Sequence, residues 1–212
     1  MNQKDKLDNK KKKYPPKAII VLEKGPKFEG YFFGKKKEAM GEVVFNTGMV
    51  GYPETLTDPS YRSEILVFTQ PLIGNYGVPN NDKEFGLSKH FESDNIHIRG
   101  LIVSDYSFEH SHWSAIKSLD EWLKEHNIPG IYGIDTRELT KVLREQGTMS
   151  GCIQSKEEKK SKKWENESDK NFVAEVSTNK RIVYKKGPKK IILIDCGVKN
   201  NIIRSFLKRN IT

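Results

Sequence analysis

Five short apolar runs, each set off by glycine, proline or other turn-forming residues, constrain this chain more than any other feature: Ala18 to Leu22, Lys27 to Phe33, Gly41 to Thr47, Glu64 to Thr69 and His97 to Ser104. Each has strand length and is rich in β-branched or aromatic residues. Gly25-Pro26 separates the first two and predicts a hairpin. Strands of this kind must pair with one another and cover at least one face.

The cover is also written in the sequence. Ser118 with Glu121 three residues later predicts a capping box, followed by the apolar stripe Leu119, Trp122 and Leu123. Asp135 with Glu138 repeats the signal before Leu139, Val142 and Leu143, and Gly147 is a good stop. Asn127 ends the first helix before Pro129-Gly130, and residues 151–154 can add a closing strand. Thr47 to Tyr52 and Thr57 to Tyr61 read as loops, because glycine and Asp-Pro favour turns. Residues 14–154 are therefore expected to form one α/β or α+β domain.

Behind it, 155–188 reads as a polar linker or insertion. Lys190 to Asp195 reads as a buried-type strand, and Asn200 to Arg209 as a helix with Ile202, Ile203, Phe206 and Leu207 on one face. That is the opening of a parallel βα unit. Such a unit needs a neighbouring strand after a crossover. The expectation is a second domain that starts at 189 and is cut off by the end of the chain at Thr212.

The net charge of +9 raises the question of nucleic acid, and its location answers it. Residues 14–154 carry 15 Lys/Arg against 19 Asp/Glu, while the first 13 residues and residues 155–212 carry the positive excess. A basic groove on a folded domain would distribute charge differently. The lysine runs at 10–13 and 159–163 lack interleaved aromatics apart from Trp164, so a solvated tail and linker are favoured over a nucleic-acid module. No apolar run is long enough to span a bilayer. With Cys152 and Cys196 alone there is no disulfide framework and no metal-ligand set, and a cytoplasmic setting is expected. His110-x-His112 would need further ligands to close a zinc site and reads as a loop.

The loops carry a resemblance. Gly41-Glu42-Val43-Val44-Phe45-Asn46-Thr47-Gly48-Met49-Val50-Gly51-Tyr52-Pro53-Glu54, Leu56-Thr57-Asp58-Pro59-Ser60-Tyr61, Pro71 to Gly77 and Gly133 to Thr140 are similar, in order and spacing, to the signature segments of the small, glutaminase chain of carbamoyl phosphate synthase. The similarity covers roughly Ala18 to Gln154 and resumes at Ile192 to Ile203. Glu84 to Leu87, Phe91 to Ser93, Ser111 to Ser114 and Asp195 to Gly197 resemble the multifunctional pyrimidine-pathway form. The resemblance implies a β/β/α front domain that docks the synthetase. It also implies a rear class I glutamine amidotransferase domain of flavodoxin-like α/β fold, of which 189–212 would be the start. The activity implied is glutamine hydrolysis, feeding ammonia to a synthetase that uses ATP and Mg, in pyrimidine or arginine biosynthesis. The synthetase and L-glutamine would be the partners, with no cofactor held by this chain.

In that family a cysteine on a Gly-x-Cys-x-Gly elbow attacks the amide, with a His and a Glu behind it. No such motif occurs here, so no catalytic residue is assigned and the chain alone is expected to be inactive. Cys152 and Cys196 are each expected to be small buried residues. The one transferable position is Ser60, which the resemblance implies contacts bound glutamine across the domain boundary. Its plainer alternative is a turn serine that satisfies local backbone groups. Gly48, Gly51, Gly74 and Gly77 would permit tight loops beside that boundary.

Overall fold

The computed structural model describes residues 15–157, 164 and 170–212. The basic tail at 1–13 and most of the lysine-rich run after Glu157 lie outside them. The strands in chain order are β1 (Lys17–Leu22), β2 (Lys27–Gly34), β3 (Ala39–Asn46), β4 (Ile65–Phe68), β5 (Leu72–Ile73), β6 (Val78–Pro79), β7 (Lys83–Glu84), β8 (Leu87–Ser88), β9 (Gly100–Ile102), β10 (Asp105–Tyr106), β11 (Ala115–Lys117), β12 (Pro129–Tyr132) and β13 (Met149–Ser155). The helices are α1 (Tyr52–Leu56), α2 (Leu119–Glu125), α3 (Thr136–Gln146), α4 (Phe172–Val176) and α5 (Asn200–Lys208), with a 3-10 turn at Pro59–Tyr61.

The longer strands close into a barrel in the order β1-β13-β3-β4-β9-β12-β2. β3, β4, β9 and β12 run parallel, and the remaining pairs are antiparallel. Each parallel step needs a crossover. The crossovers are the segment carrying α1 and the 3-10 turn, the long loop from Thr69 to Arg99, and the segment carrying α2. The segments Thr47 to Tyr61 and Pro71 to Gly77 thus lie in connections that the topology requires.

Ile65-Leu66-Val67-Phe68 shows why an uninterrupted apolar run suits this position, because all four are buried. Ile65 and Val67 point into the barrel with Ile20, Phe32, Val43, Ile102, Ile131 and Ile153, and α3 closes that core with Leu139, Val142 and Leu143. Leu66 and Phe68 face outward with Phe33, Leu101 and Val103, and are covered by Tyr52 and Leu56 of α1 and Trp122 and Leu123 of α2. A strand buried on both faces loses the polar alternation of a half-exposed one. Each such side chain contributes about 1.5–3 kcal/mol on burial.

The helix starts are as the sequence indicates. Both arms of the capping box form at Ser118 and Glu121. At Asp135 only the first arm forms, its carboxylate accepting the Glu138 N–H at 2.8 Å. Asn127 turns the chain out of α2 in left-handed conformation, at φ 59°. Four expectations change. The stretch read as a loop at Thr47 to Tyr52 runs into α1 at its last residue and the one at Thr57 to Tyr61 contains the 3-10 turn, because Pro53 and Pro59 sit in first turns, where a missing N–H costs nothing. Pro129-Gly130, to which the sequence assigned no element, starts the strand β12, with Gly130 against the Phe33 ring. The expected strand at 97–104 shortens to β9.

The fourth change is the largest. Lys190 to Asp195 forms no strand: Ile192 is 95% and Ile194 82% exposed. An isolated bridge between Lys189 and Ile211, the bond from Ile191 N–H to the Thr212 carbonyl, the bond from Thr212 N–H to the Lys189 carbonyl and the Thr212 hydroxyl bound to Gly187 tie this end of the chain without forming a ladder. A strand exists through its ladder, and among the described residues none lies beside it. The stretch read as linker also contains a short helix, α4, capped by the Asn171 side chain. No helix among the described residues is long and apolar enough to cross a membrane.

Candidate functional site

The site is built on the β3–β4 crossover. Gly51, in left-handed conformation at φ 84°, starts α1, and the Tyr76 hydroxyl accepts the N–H groups of Gly51 and Tyr52 at 2.9 and 3.0 Å. The Tyr52 ring stacks on Tyr76 at 4.1 Å between centroids, and its hydroxyl donates to the Gly77 carbonyl at 2.5 Å. Burial, with the neighbouring tyrosines, pushes the Tyr52 phenol well above its ordinary pKa, so it stays a donor. Two of the signature segments therefore hold each other. Gly51, Gly74 and Gly77 all take positive φ, while Gly48 does not.

After α1 the Thr57 hydroxyl donates to the Pro53 carbonyl at 2.8 Å and accepts the Glu92 N–H at 2.9 Å. Asp58, 6% exposed, caps the 3-10 turn, its Oδ1 accepting the Ser60 N–H at 2.9 Å. This leaves Ser60 exposed at the tip, lining a cavity of about 230 Å³ with Arg62, Glu64, Phe172, Val176 and Cys196. Burial, then the nearby Glu42 and Asp58 carboxylates, raise the Glu64 pKa to about 7. Arg62 pairs with Glu175 of α4 at 2.6 Å.

The far wall is the turn Asp195-Cys196-Gly197. Asp195 Oδ1 accepts the N–H groups of Gly197 and Val198, and Oδ2 accepts that of Thr178. Partial burial works to raise the Asp195 pKa, but these three N–H groups hold it below the ordinary value. Gly197 has φ 96°, and a Cβ there would stand 2.8 Å from Val176 Cγ2 and 3.2 Å from Pro59 Cβ. The expectation of a buried Cys196 is thereby corrected: with no strand before it the thiol is exposed, whereas Cys152 is buried in β13 as expected.

α5 then runs back onto the front domain. The N-cap residue, Lys199, gives no side-chain cap. Instead the Asn200 N–H donates to the Glu92 carbonyl at 2.9 Å and the Asn201 N–H to the Glu92 carboxylate at 2.8 Å. Buried Arg204 lies 3.6 Å from the same carboxylate and donates to the carbonyls of Ser88 and Phe91. Lys199 pairs with Asp58 Oδ2 at 2.5 Å. Sequence reading missed Glu92, Arg204 and Lys199. The available signal was a long helix without its own N-cap residue, which calls for a cap from elsewhere.

Other candidates separate from this site. His97 is buried, shares 2.9 Å with the Ser93 hydroxyl, and has its pKa lowered chiefly by burial. His112 stands against Tyr76 in a loop, and Asp135 with Arg137 belongs to the start of α3. No group of three or more His, Cys, Asp or Glu among the described residues is placed to hold a metal ion. A larger cavity, about 930 Å³, opens past the C-terminal ends of β3, β4 and β9, with Thr47, Thr69 and Ser104 at its wall.

These features define a class of protein: a mixed barrel that presents a serine-tipped turn to a following segment, capping that segment's helix from outside. The chain belongs to the carbamoyl-phosphate synthase small chain family, whose CPSase domain model matches residues 20–153. It is 50% identical over 210 residues to multifunctional protein pyr1-3 of Dictyostelium discoideum, covering 92% of this chain and 9% of that protein. It is 50% identical to the human mitochondrial carbamoyl-phosphate synthase [ammonia], covering 91% of this chain and 13% of that one. It is 48% identical to the arginine-specific small chain of Saccharomyces cerevisiae, covering 91% of this chain and 48% of that one. The chain thus spans half or less of the length of these relatives. Multifunctional, ammonia and arginine-specific forms match at one level, so identity does not separate the forms.

Proposed function

We propose that this chain is the front part of the glutamine-hydrolysing component of a carbamoyl phosphate synthase. In this reading 14–154 docks the synthetase, 155–188 links, and 189–212 begins a flavodoxin-like class I amidotransferase domain. Ser60 contacts L-glutamine, the synthetase supplies ATP and Mg chemistry, and the pathway is pyrimidine or arginine synthesis. The observation that carries the reading is the shared cavity of Ser60 and Cys196, which sets the front-domain serine against the first turn of the rear segment. A serine hydroxyl both donates and accepts, so it can serve either end of an amino-acid ligand.

Two experiments test it. In the full-length protein Ser60→Ala weakens use of glutamine by about 1–3 kcal/mol, the loss of one buried hydrogen bond, and leaves synthesis from free ammonia unchanged. Equal loss with both nitrogen sources makes Ser60 structural. The 212-residue chain by itself releases no ammonia from glutamine, since it has no nucleophile elbow; steady release from a clean preparation refutes the assignment.

A second reading comes from the human relative, whose name specifies ammonia at 50% identity. Here the scaffold persists without glutamine use and Ser60 only closes its turn; a full-length protein that synthesises from ammonia alone decides for it. The cytoplasmic setting is part of the first reading, while that relative is named mitochondrial. Cell fractionation separates the two.

A further inference from the structure

We propose that Asp58 is a positioning residue: one carboxylate holds the Ser60 turn with one oxygen and Lys199 with the other, which fixes Ser60 against the Asp195–Gly197 turn. The proposal rests on the reading of Ser60 as the glutamine contact. Its basis is that the two oxygens of one side chain bind two parts of the fold, the local turn and the start of α5. Oδ1 accepts the Ser60 N–H at 2.9 Å, and Oδ2 meets Lys199 Nζ at 2.5 Å.

Lys199 is itself held. It is the N-cap residue of α5, and the next two N–H groups are bound by Glu92, with Arg204 buried against Glu92 and the Ser88 and Phe91 carbonyls. The start of α5 is therefore fixed to the front domain independently of Asp58. Two residues upstream of Lys199, Gly197 closes the turn whose thiol lines the Ser60 cavity. Asp58 is the link that refers Ser60 to that fixed frame.

The energetics favour geometry over stability as its role. The Asp58 side chain is 8% exposed and that of Lys199 41% exposed, so the pair is half in water and adds little to folding by itself. Without the ammonium, however, the buried carboxylate loses the one cation that pairs with it among the described residues and swings toward solvent, carrying the Ser60 N–H with it. The hydrogen bond that the Lys199 ammonium donates to Asp58 is the chief cause holding that ammonium above its ordinary pKa, so Lys199 stays charged through the neutral range.

The test uses the full-length enzyme, with steady-state synthesis measured from glutamine and separately from ammonium. Lys199→Gln is expected to raise the KM for glutamine about 3- to 10-fold, part of the worth of one charge-supported contact. The rate at saturating glutamine and the rate from ammonium stay within about twofold, and Lys199→Arg restores the parental KM, because the pair is kept. A parental KM in Lys199→Gln, while Ser60→Ala raises it, overturns the positioning role and leaves the Ser60 reading standing. Equal loss with both nitrogen sources in Lys199→Gln also overturns it, marking a structural contact. An unchanged KM in Ser60→Ala removes the reading and the proposal together.

Discussion

Ser60 and Glu64 stand in the same short stretch and show two grades of legibility. Asp-Pro before Ser60 announces a turn, and the turn exposes the hydroxyl, so its accessibility follows from adjacent residues. Nothing beside Glu64 announces its environment, because Glu42 and the α4 side chains that enclose it come from elsewhere in the chain. The consequence is a pH dependence of definite sign. The folded-state pKa of about 7 lies above the ordinary 4.5, so burial disfavours the ionised form. Stability from this group is complete below pH 4.5 and falls as pH rises through 7. Glu64→Gln removes that fall. Comparing urea unfolding of the two proteins, the variant should gain about 1 kcal/mol on the parent between pH 4.5 and 7.5, the full shift being discounted for partial exposure. Parallel pH profiles mean that Glu64 ionises freely.

Among the elements, those stabilised by their own residues were readable and those stabilised by distant ones were not. α2 carries its cap, its stripe and its stop within the stretch from Ser118 to Asn127. Ser118→Ala removes the arm of the box in which the hydroxyl accepts the Glu121 N–H, together with the bond the hydroxyl donates to the Glu121 carboxylate, and should lower the unfolding free energy by about 1 kcal/mol in chemical denaturation. A change below about 0.3 kcal/mol would show that tertiary contacts alone hold the helix start. α5 is the opposite case. Its hydrophobic spacing gave its extent, yet its cap belongs to Glu92 in the preceding domain. Lys190 to Asp195 failed for a related reason: apolar and β-branched composition favours a strand only where a neighbour supplies the ladder. β12 was missed because Pro and Gly read as punctuation, although Pro129 at a strand start and Gly130 under an aromatic ring are both tolerated.

Across the molecule, the sequence pattern placed most of the barrel strands and helices α2, α3 and α5 but not the closure, because alternation says which face is buried and not whether the sheet meets itself. Closure depends on where β2 can approach β12. Tyr31 lies opposite Tyr132 in that pairing, and one residue earlier Gly30 sits with the Tyr132 carbonyl only 2.2 Å from where a Cβ would be. The same glycine pairs with Ala18 of β1, so β2 is held on both sides and cannot shift to relieve the clash. The obstacle is backbone, unlike a flexible side-chain tip. Gly30→Ala should therefore cost about 3 kcal/mol, the upper end of what overpacking a rigid site costs. Hydrogen exchange locates the damage: amides of β2 and β12 lose protection first, while those of β3, β4 and β13 on the other side of the barrel keep theirs. Loss of less than about 0.5 kcal/mol, or loss spread evenly over all strands, would mean that the sheet is not closed at this seam.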